Sequence, residues 1–292
     1  MKALVNRLFA QKLRLCNWRI DFFLALNPII GFRTRFNGAA LGVLFRRNLV
    51  AKMNLMPLKA SEFIRNPAPQ ENDPEVGIVI QGPVTNEFEI ETILIICKLF
   101  PAYKKVISTW EGSLKMPSEL SDDANVHWVE TKPIPDEEAG IGNLNRQLHS
   151  TYSGLLYLNQ KGIPFAMKLR PDTRISSIWA IQGMLSFYKN FAGTADRILL
   201  GVTPSRYIPY KFDDRMLFAK TSVLINYFYP FSEREIKEKF STPRIVGEGV
   251  PLCPEVILFT RYLEKHCGES VNWTLKHWLI CLKKYAIIVD PE

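Results

Sequence analysis

The sequence predicts an α/β domain, a parallel or mixed sheet covered by helices, entered through a basic helical segment. Three observations predict it. After residue 75, short apolar, β-branched runs alternate with longer runs of helical spacing, the pattern of strand–helix–strand units. Apolar residues make up 47% and aromatics 12% of 292 residues, enough for a sizeable core and too much for a disordered chain. Charge is unevenly placed: residues 1–70 hold twelve lysines and arginines against Asp21 and Glu62, whereas the rest holds 25 basic and 27 acidic side chains.

In residues 1–73 the basic side chains interleave with apolar ones, as in RLFAQKLRL and WRIDFFLALNPIIGF. An amphipathic helix lying on an anionic surface fits that mixture better than an arm tracking phosphates. A buried helix of the domain itself is the alternative. The longest apolar stretch, Ile20–Phe32, is short and interrupted by Asp21, Asn27 and Pro28, and no good cleavage site follows it. The expected location is cytoplasmic, peripheral to the inner face of the plasma membrane. The stretch NPAPQENDPE (Asn66–Glu75) reads as a linker. It separates a segment at 1–73 from a domain at 74–292.

The elements of that domain follow in order. VGIVIQG (Val76–Gly82) reads as a buried strand, and EFEIETILIICKLF (Glu87–Phe100) as a helix stopped by Pro101. KVISTW (Lys105–Trp110) and NVHWVET (Asn125–Thr131) are the next strands. A helix runs from Asn143 to Gly162, with Leu144, Leu148, Leu155 and Leu156 toward the sheet and Arg146, Gln147, Ser150 and Ser153 elsewhere. FAMKLR (Phe165–Arg170) is the fourth strand, followed by the helix SIWAIQGMLSFYKN and the strand RILLGVT. Met216–Tyr229 reads as an apolar helix, which Asp213 or Asp214 would cap. The aromatic stretches Tyr207–Phe231 and Trp273–Trp278 suit core packing, with an acceptor platform as the second use. KYAIIVDPE reads as a strand cut off at its exit, so a few further residues are expected beyond Glu292.

Several chemistries lose support at once. The five cysteines are scattered, odd in number and without a CxxC pair, and the four histidines lack metal-ligand spacing. That speaks for a reducing compartment and against a zinc site. IQGPV is not a GxGxxG fingerprint, and there is no Walker loop, GxSxG elbow or kinase signature set.

Ligands of such sheets bind at the carboxyl ends of strands, so the exits Gln81–Pro83, Ser108–Trp110 and Arg170–Arg174 carry the argument. The run KLRPDTR stands out. If the chain stays extended, Lys168, Arg170, Asp172 and Arg174 line one side of a central strand. Charges there need partners or a charged ligand. A salt bridge of Asp172 with Arg170 or Arg174, made only for the fold, is the plain alternative. The preceding helix opens with Asn143, Leu144, Asn145, Arg146 and Gln147, where free backbone N–H groups favour anions; capping by Asn143 is the plain alternative. Helix start and strand end together suit a diphosphate.

IVIQGPV, ETILIICKLFP followed by KKVISTWEG, NLNRQLHSTYSGLLYL and FAMKLRPDTRI, in that order, resemble the WavE-type lipopolysaccharide-synthesis proteins. The resemblance runs from about Glu75 to Glu292. It implies a GT-A-like glycosyltransferase, with a Rossmann-like half for a UDP- or GDP-linked sugar and a second half for the acceptor, a lipopolysaccharide-core or related glycan. On that reading Gln81, Gly82, Pro83, Ser108 and Thr109 meet the nucleotide, and Asn145, Arg146 and Gln147 reach toward ribose or phosphate. Arg170 and Asp172 then stand where many such enzymes carry Asp-x-Asp.

Here only one acid is present. Lys168, Arg170 and Arg174 can stabilise the leaving diphosphate directly, or Asp172 can hold Mn²⁺ or Mg²⁺ with water and phosphate oxygens; both stay open. An inverting transfer also needs a base. Asp214 is the first candidate, followed by Glu255, whose plain use is dipole stabilisation after Pro254, and Glu248. The rival readings are a transferase using another nucleotide cofactor, weakened by the missing glycine-rich turn, and a non-catalytic binder of anionic surfaces. No nucleic-acid partner is expected.

Overall fold

The computed structural model describes residues 75–288 apart from 176, 193–195, 202–207, 233–234, 237–244 and 247–249. The basic segment at 1–73 and Glu248 lie outside the described residues. In chain order the elements are β1 (Val76–Gln81), α1 (Glu87–Leu99), β2 (Lys104–Trp110), β3 (Val126–Thr131) and the one-turn α2 (Asp136–Ala139). Then come α3 (Leu144–Gln160), β4 (Phe165–Leu169), α4 (Ala180–Phe191), β5 (Ile198–Leu200), β6 (Met216–Lys220) and α5 (Thr221–Tyr227). The short pair β7 (Ile245–Val246) and β8 (Val250–Pro251), α6 (Pro254–His266), α7 (Leu275–Tyr285) and β9 (Ala286–Ile288) follow among the described residues.

Among the described residues seven strands form one sheet in the order β3-β2-β1-β4-β6-β5-β9. β1 to β4 are mutually parallel, β6 runs antiparallel to both β4 and β5, and β9 is parallel to β5. The protein is therefore an α/β fold on a mixed sheet, as the alternation predicted. β1 is buried along its whole length, which explains why it reads as a continuous apolar run rather than an alternating one.

α3 lies against β1 and β2 at very short range, and two glycines make that possible. A Cβ on Gly154 would come within 2.7 Å of the Val79 side chain, and one on Gly77 within 2.6 Å of Leu158. Leu144, Leu148 and Leu155 are buried as expected, but Leu158 completes the stripe and Leu156 is only half-buried. Ser150, expected on the polar side, is buried too. On the other face of the sheet Lys105 is fully buried, and its ammonium donates to the carbonyls of Phe100 (3.1 Å) and Pro101 (3.2 Å) at the end of α1. Burial lowers its pKa, with the Cys97 and Asp123 charges acting the other way.

One expectation fails here. Met216–Tyr229 is not one helix but the strand β6 followed by α5, so neither Asp213 nor Asp214 caps a helix. Met216–Lys220 pairs with Phe165–Leu169 and is buried at its centre, and the period changes from two to 3.6 at a short polar break, Lys220–Ser222, that holds no glycine or proline. Tyr210, Phe212, Tyr227, Phe228, Phe231 and Trp278 of the aromatic stretches pack as core, whereas Tyr229 is exposed and Tyr207 lies outside the described residues. Phe212 stacks on Phe259 (ring centroids 4.4 Å apart), and Trp278, Tyr227 and Tyr210 close around them.

Candidate functional site

The strand order reverses between β1 and β4, since β2 and β3 continue to one side of β1 and β4 lies on the other. A crevice outside the carboxyl ends of strands at such a reversal is where open α/β sheets hold ligands. A cleft of about 270 Å³ opens there.

Its floor is the exit of β1. Gln81 is 5% exposed, and its side-chain amide donates to the Ser150 hydroxyl on α3 (3.1 Å). Gly82 has φ +141°, and a Cβ there would meet the Pro171 ring at 3.1 Å, so only glycine fits. Pro83 is exposed at the rim. Next to it the first turn of α1 is closed by a capping box, in which the Asn86 side chain accepts from the Glu89 N–H and the Glu89 carboxylate accepts from the N–H groups of Thr85 and Asn86. Glu89 thereby lines the cleft with its charge already engaged.

One wall is the start of α3, contributed by Gly142, Asn143 and Gln147. Gly142 and Asn143 both take left-handed conformations (φ 59° and 60°). No side chain caps α3, because the Asn143 side-chain oxygen accepts from Arg146 Nη1 (3.0 Å) instead. The Leu144 N–H donates back to Ile141 O, no side chain takes the N–H groups after it, and Gly142, Asn143 and Gln147 bring this helix start to the cleft, a setting that favours anions. Arg146 itself is fully engaged. It donates to Ile134 O (2.7 Å), pairs with Asp136, and lays its guanidinium over the Trp110 ring, which lines the cleft (5.4 Å to the centroid).

The opposite wall is Arg170, Pro171 and Asp172. The chain does not stay extended past Leu169. The Thr173 N–H donates to Arg170 O (3.0 Å), a turn with proline at its second position. This brings Arg170 and Asp172 together in a two-pronged pair, Nε to Oδ1 at 3.1 Å and Nη2 to Oδ2 at 2.8 Å. Both side chains remain about half exposed, at 44% and 46%.

The other expected residues do not join them. Lys168 is enclosed, with its ammonium 3.3 Å from Asp214 Oδ2, bonded also to Asp214 O, and over the Phe228 ring. β6 supplies that partner because its first residue, Met216, sits opposite Leu169. Burial lowers the Lys168 pKa, and the Asp214 charge opposes it. Asp214 is correspondingly buried and does not line the cleft. Arg174 has turned back onto α1, donating to the Thr92 hydroxyl (3.1 Å) with its guanidinium over Phe88. The expectation that Lys168, Arg170, Asp172 and Arg174 share one side thus fails at the proline turn.

Ser108 and Thr109 are buried and tie down neighbouring backbone and side chain, through Ser150 O (2.6 Å) and the Ser113 hydroxyl (2.7 Å). Asn145 is buried, donates to Glu138 O (3.1 Å) and leaves its side-chain oxygen without a hydrogen-bond partner. Glu255 occupies the first turn of α6 behind Pro254. Asp213 is clamped by Arg215 (2.7 Å); burial works to raise its pKa, but the hydrogen bonds from Arg215 outweigh it and the net shift is downward. Trp110, Asn143 and Pro171, named at the strand exits and the helix start, line the cleft, and Glu89 and Gly142 complete it without having been singled out. Gly140–Asn143, a breaker-rich run before a helix, was the available signal for Gly142.

The acids that line the cleft are Glu89 and Asp172, and both are engaged, by turn N–H groups and by Arg170. Among the described residues no group of three His, Cys, Asp or Glu side chains is arranged to hold a metal ion. No described helix is long and apolar enough to cross a membrane.

Residues 76–199 match the family model for WavE lipopolysaccharide synthesis, so the resemblance carried by the motifs holds from β1 to β5. Every residue lining the cleft lies inside the matched stretch, whereas Asp214 and Glu255 lie beyond it. No curated protein matches the chain. The family implies a role in lipopolysaccharide synthesis, as a biosynthetic enzyme.

Proposed function

We propose that the cleft binds the diphosphate of a UDP- or GDP-linked sugar, and that the protein is a GT-A-like glycosyltransferase moving a hexose onto a lipopolysaccharide-core or related cell-surface glycan. One observation carries this reading. A half-exposed, mutually neutralised Arg170–Asp172 pair and the uncapped first turn of α3 line the same cleft at the strand reversal. Cation and helix N-terminus are the two protein devices that hold a diphosphate without a metal. Asp172 is paired to Arg170 and Glu89 is held by turn N–H groups, so among the described residues the cleft presents no assembled donor set for Mn²⁺ or Mg²⁺.

The chemistry follows from separating the pair. When a diphosphate enters, Arg170 turns from Asp172 to the phosphate oxygens, where the charge grows as the bond from the sugar anomeric carbon to the diphosphate breaks. Asp172, released, accepts the proton of the acceptor hydroxyl as its oxygen bonds the anomeric carbon. Trp110, braced by Arg146, offers a flat apolar face for the base. Cytoplasmic placement at the inner membrane face, where such acceptors are extended, belongs to the same reading.

UDP- and GDP-sugars should raise the unfolding temperature and be slowly hydrolysed, with or without EDTA. If neither occurs with any such sugar, the reading is wrong. Complete loss of activity in EDTA, restored by Mn²⁺, would keep the enzyme but replace the role given to Arg170.

A further inference from the structure

We propose that the outward face of α7 is a docking surface for an anionic phospholipid bilayer. At about 100° per residue, Leu275, Leu279, Ile280, Lys276, Lys283 and Lys284 fall in one half of this helix, and Trp278, Cys281, Leu282 and Tyr285 in the other. The second set is buried and anchors α7 to the body, with Trp278 edge-on to Phe259. The first set is exposed: Leu275 at 50%, Leu279 at 54% and Ile280 at 53%. A folded domain has no internal use for three large aliphatic side chains on the outside of an already anchored helix.

Charge selects the occupant. α7 carries no acid, and its three exposed lysines share one half of the helix with the three aliphatics. Lys284 is neutralised by Glu269 at 2.6 Å, which leaves Lys276 and Lys283 in the middle of the face. A protein partner of ordinary composition would have to desolvate those ammonium groups. A bilayer does not, because lysine stems extend along the acyl boundary while the ammonium groups reach anionic headgroups. α4 makes a useful contrast. It exposes Phe187 and Phe191, with Trp179 exposed just before its start, yet its lysine, Lys189, is paired with Glu75, so nothing there favours an anionic surface. The α7 inference depends on neither the ligand of the cleft nor the segment at 1–73.

The test uses the full chain and co-sedimentation with vesicles of phosphatidylglycerol and phosphatidylcholine, or of phosphatidylcholine alone. The double variant Lys276→Gln/Lys283→Gln should bind the anionic vesicles roughly thirtyfold more weakly than the parent. Leu279→Glu should weaken binding at least as much, and both should keep the parent's unfolding temperature. If Leu279→Glu unfolds early, the lysine variant decides alone. Because residues 1–73 are identical throughout, any difference belongs to α7. Unchanged binding of the lysine variant overturns the proposal, as does equal binding of the parent to phosphatidylcholine alone. A dimer of the parent that Leu279→Glu dissociates would also overturn it, by making the face a contact between copies.

Discussion

Two ion pairs stand two residues apart at the end of β4 and behave as opposites. Lys168–Asp214 is sealed, with side-chain exposures of 0% and 8%, and its ammonium also holds a backbone carbonyl. Arg170–Asp172 is about half exposed in an open cleft. In the sealed pair each charge exists because the other does, and removing one strands the other in a medium that cannot solvate it. In the open pair water can take either partner's place, so a ligand phosphate can as well. Position on the strand is therefore a poor guide to role; what separates structural from chemical charge is whether the partner can leave.

That contrast can be broken experimentally. The largest effect should come from Asp172→Ala, which is expected to lower transfer by 10² or more while changing stability by less than about 0.5 kcal/mol. Steady-state rates and a denaturant titration on one preparation check both halves. Asp214→Ala should do the reverse, costing about 3–5 kcal/mol of stability, with Lys168→Met/Asp214→Leu recovering part of it. Activity per folded molecule should survive in the double variant. If Asp214→Ala is as stable as the parent and inactive, the sealed pair is catalytic after all.

Gly82→Ala should cost about 1–3 kcal/mol, because φ +141° is disallowed to a side chain, and should narrow the cleft against Pro171. Donor binding by calorimetry is expected to weaken with it. The smallest effect is the response to pH. Burial lowers the Lys168 pKa in the folded state from 10.5. Between that lowered value and 10.5 the unfolded chain binds more protons, so this lysine's contribution to stability rises with pH across that window and is flat below it. Comparing urea midpoints of the parent and Lys168→Met along a pH series should show the steeper rise in the parent, the buried Lys105 contributing to both.

Much of the fold was legible in the sequence. β1 to β4 and the helices between them are bounded by unambiguous stops, Pro101 and Gly162 among them, and their periods differ clearly. β6 was not, because Met216–Ala219 and Val223–Ile225 are both apolar and the polar break between them, Lys220–Ser222, carries no glycine or proline. That single misreading hid the partner of Lys168, since only a strand antiparallel to β4 brings Asp214 to it. The cleft itself was half legible. Strand exits pointed to Gln81, Gly82, Arg170 and Asp172, but extending the strand through Pro171 overlooked a turn signal printed in the sequence, Pro-Asp after Arg170. Ser108 and Thr109 show the other limit: being at a strand exit says nothing about whether a hydroxyl is already spent on the backbone of a neighbouring helix.

The close seating of α3 on the sheet through Gly77 and Gly154 has a consequence for genetics. The helix is a rigid spacer whose far end is one lip of the cleft, so its distance from β1 sets the width of the opening. A methyl group at Gly154 must push against Val79, a stiff β-branched neighbour, and lift the helix. In a screen for loss of function, Gly154 should therefore score among the cleft residues although no substrate touches it, and its suppressors should be smaller side chains at Val79 rather than changes in the cleft.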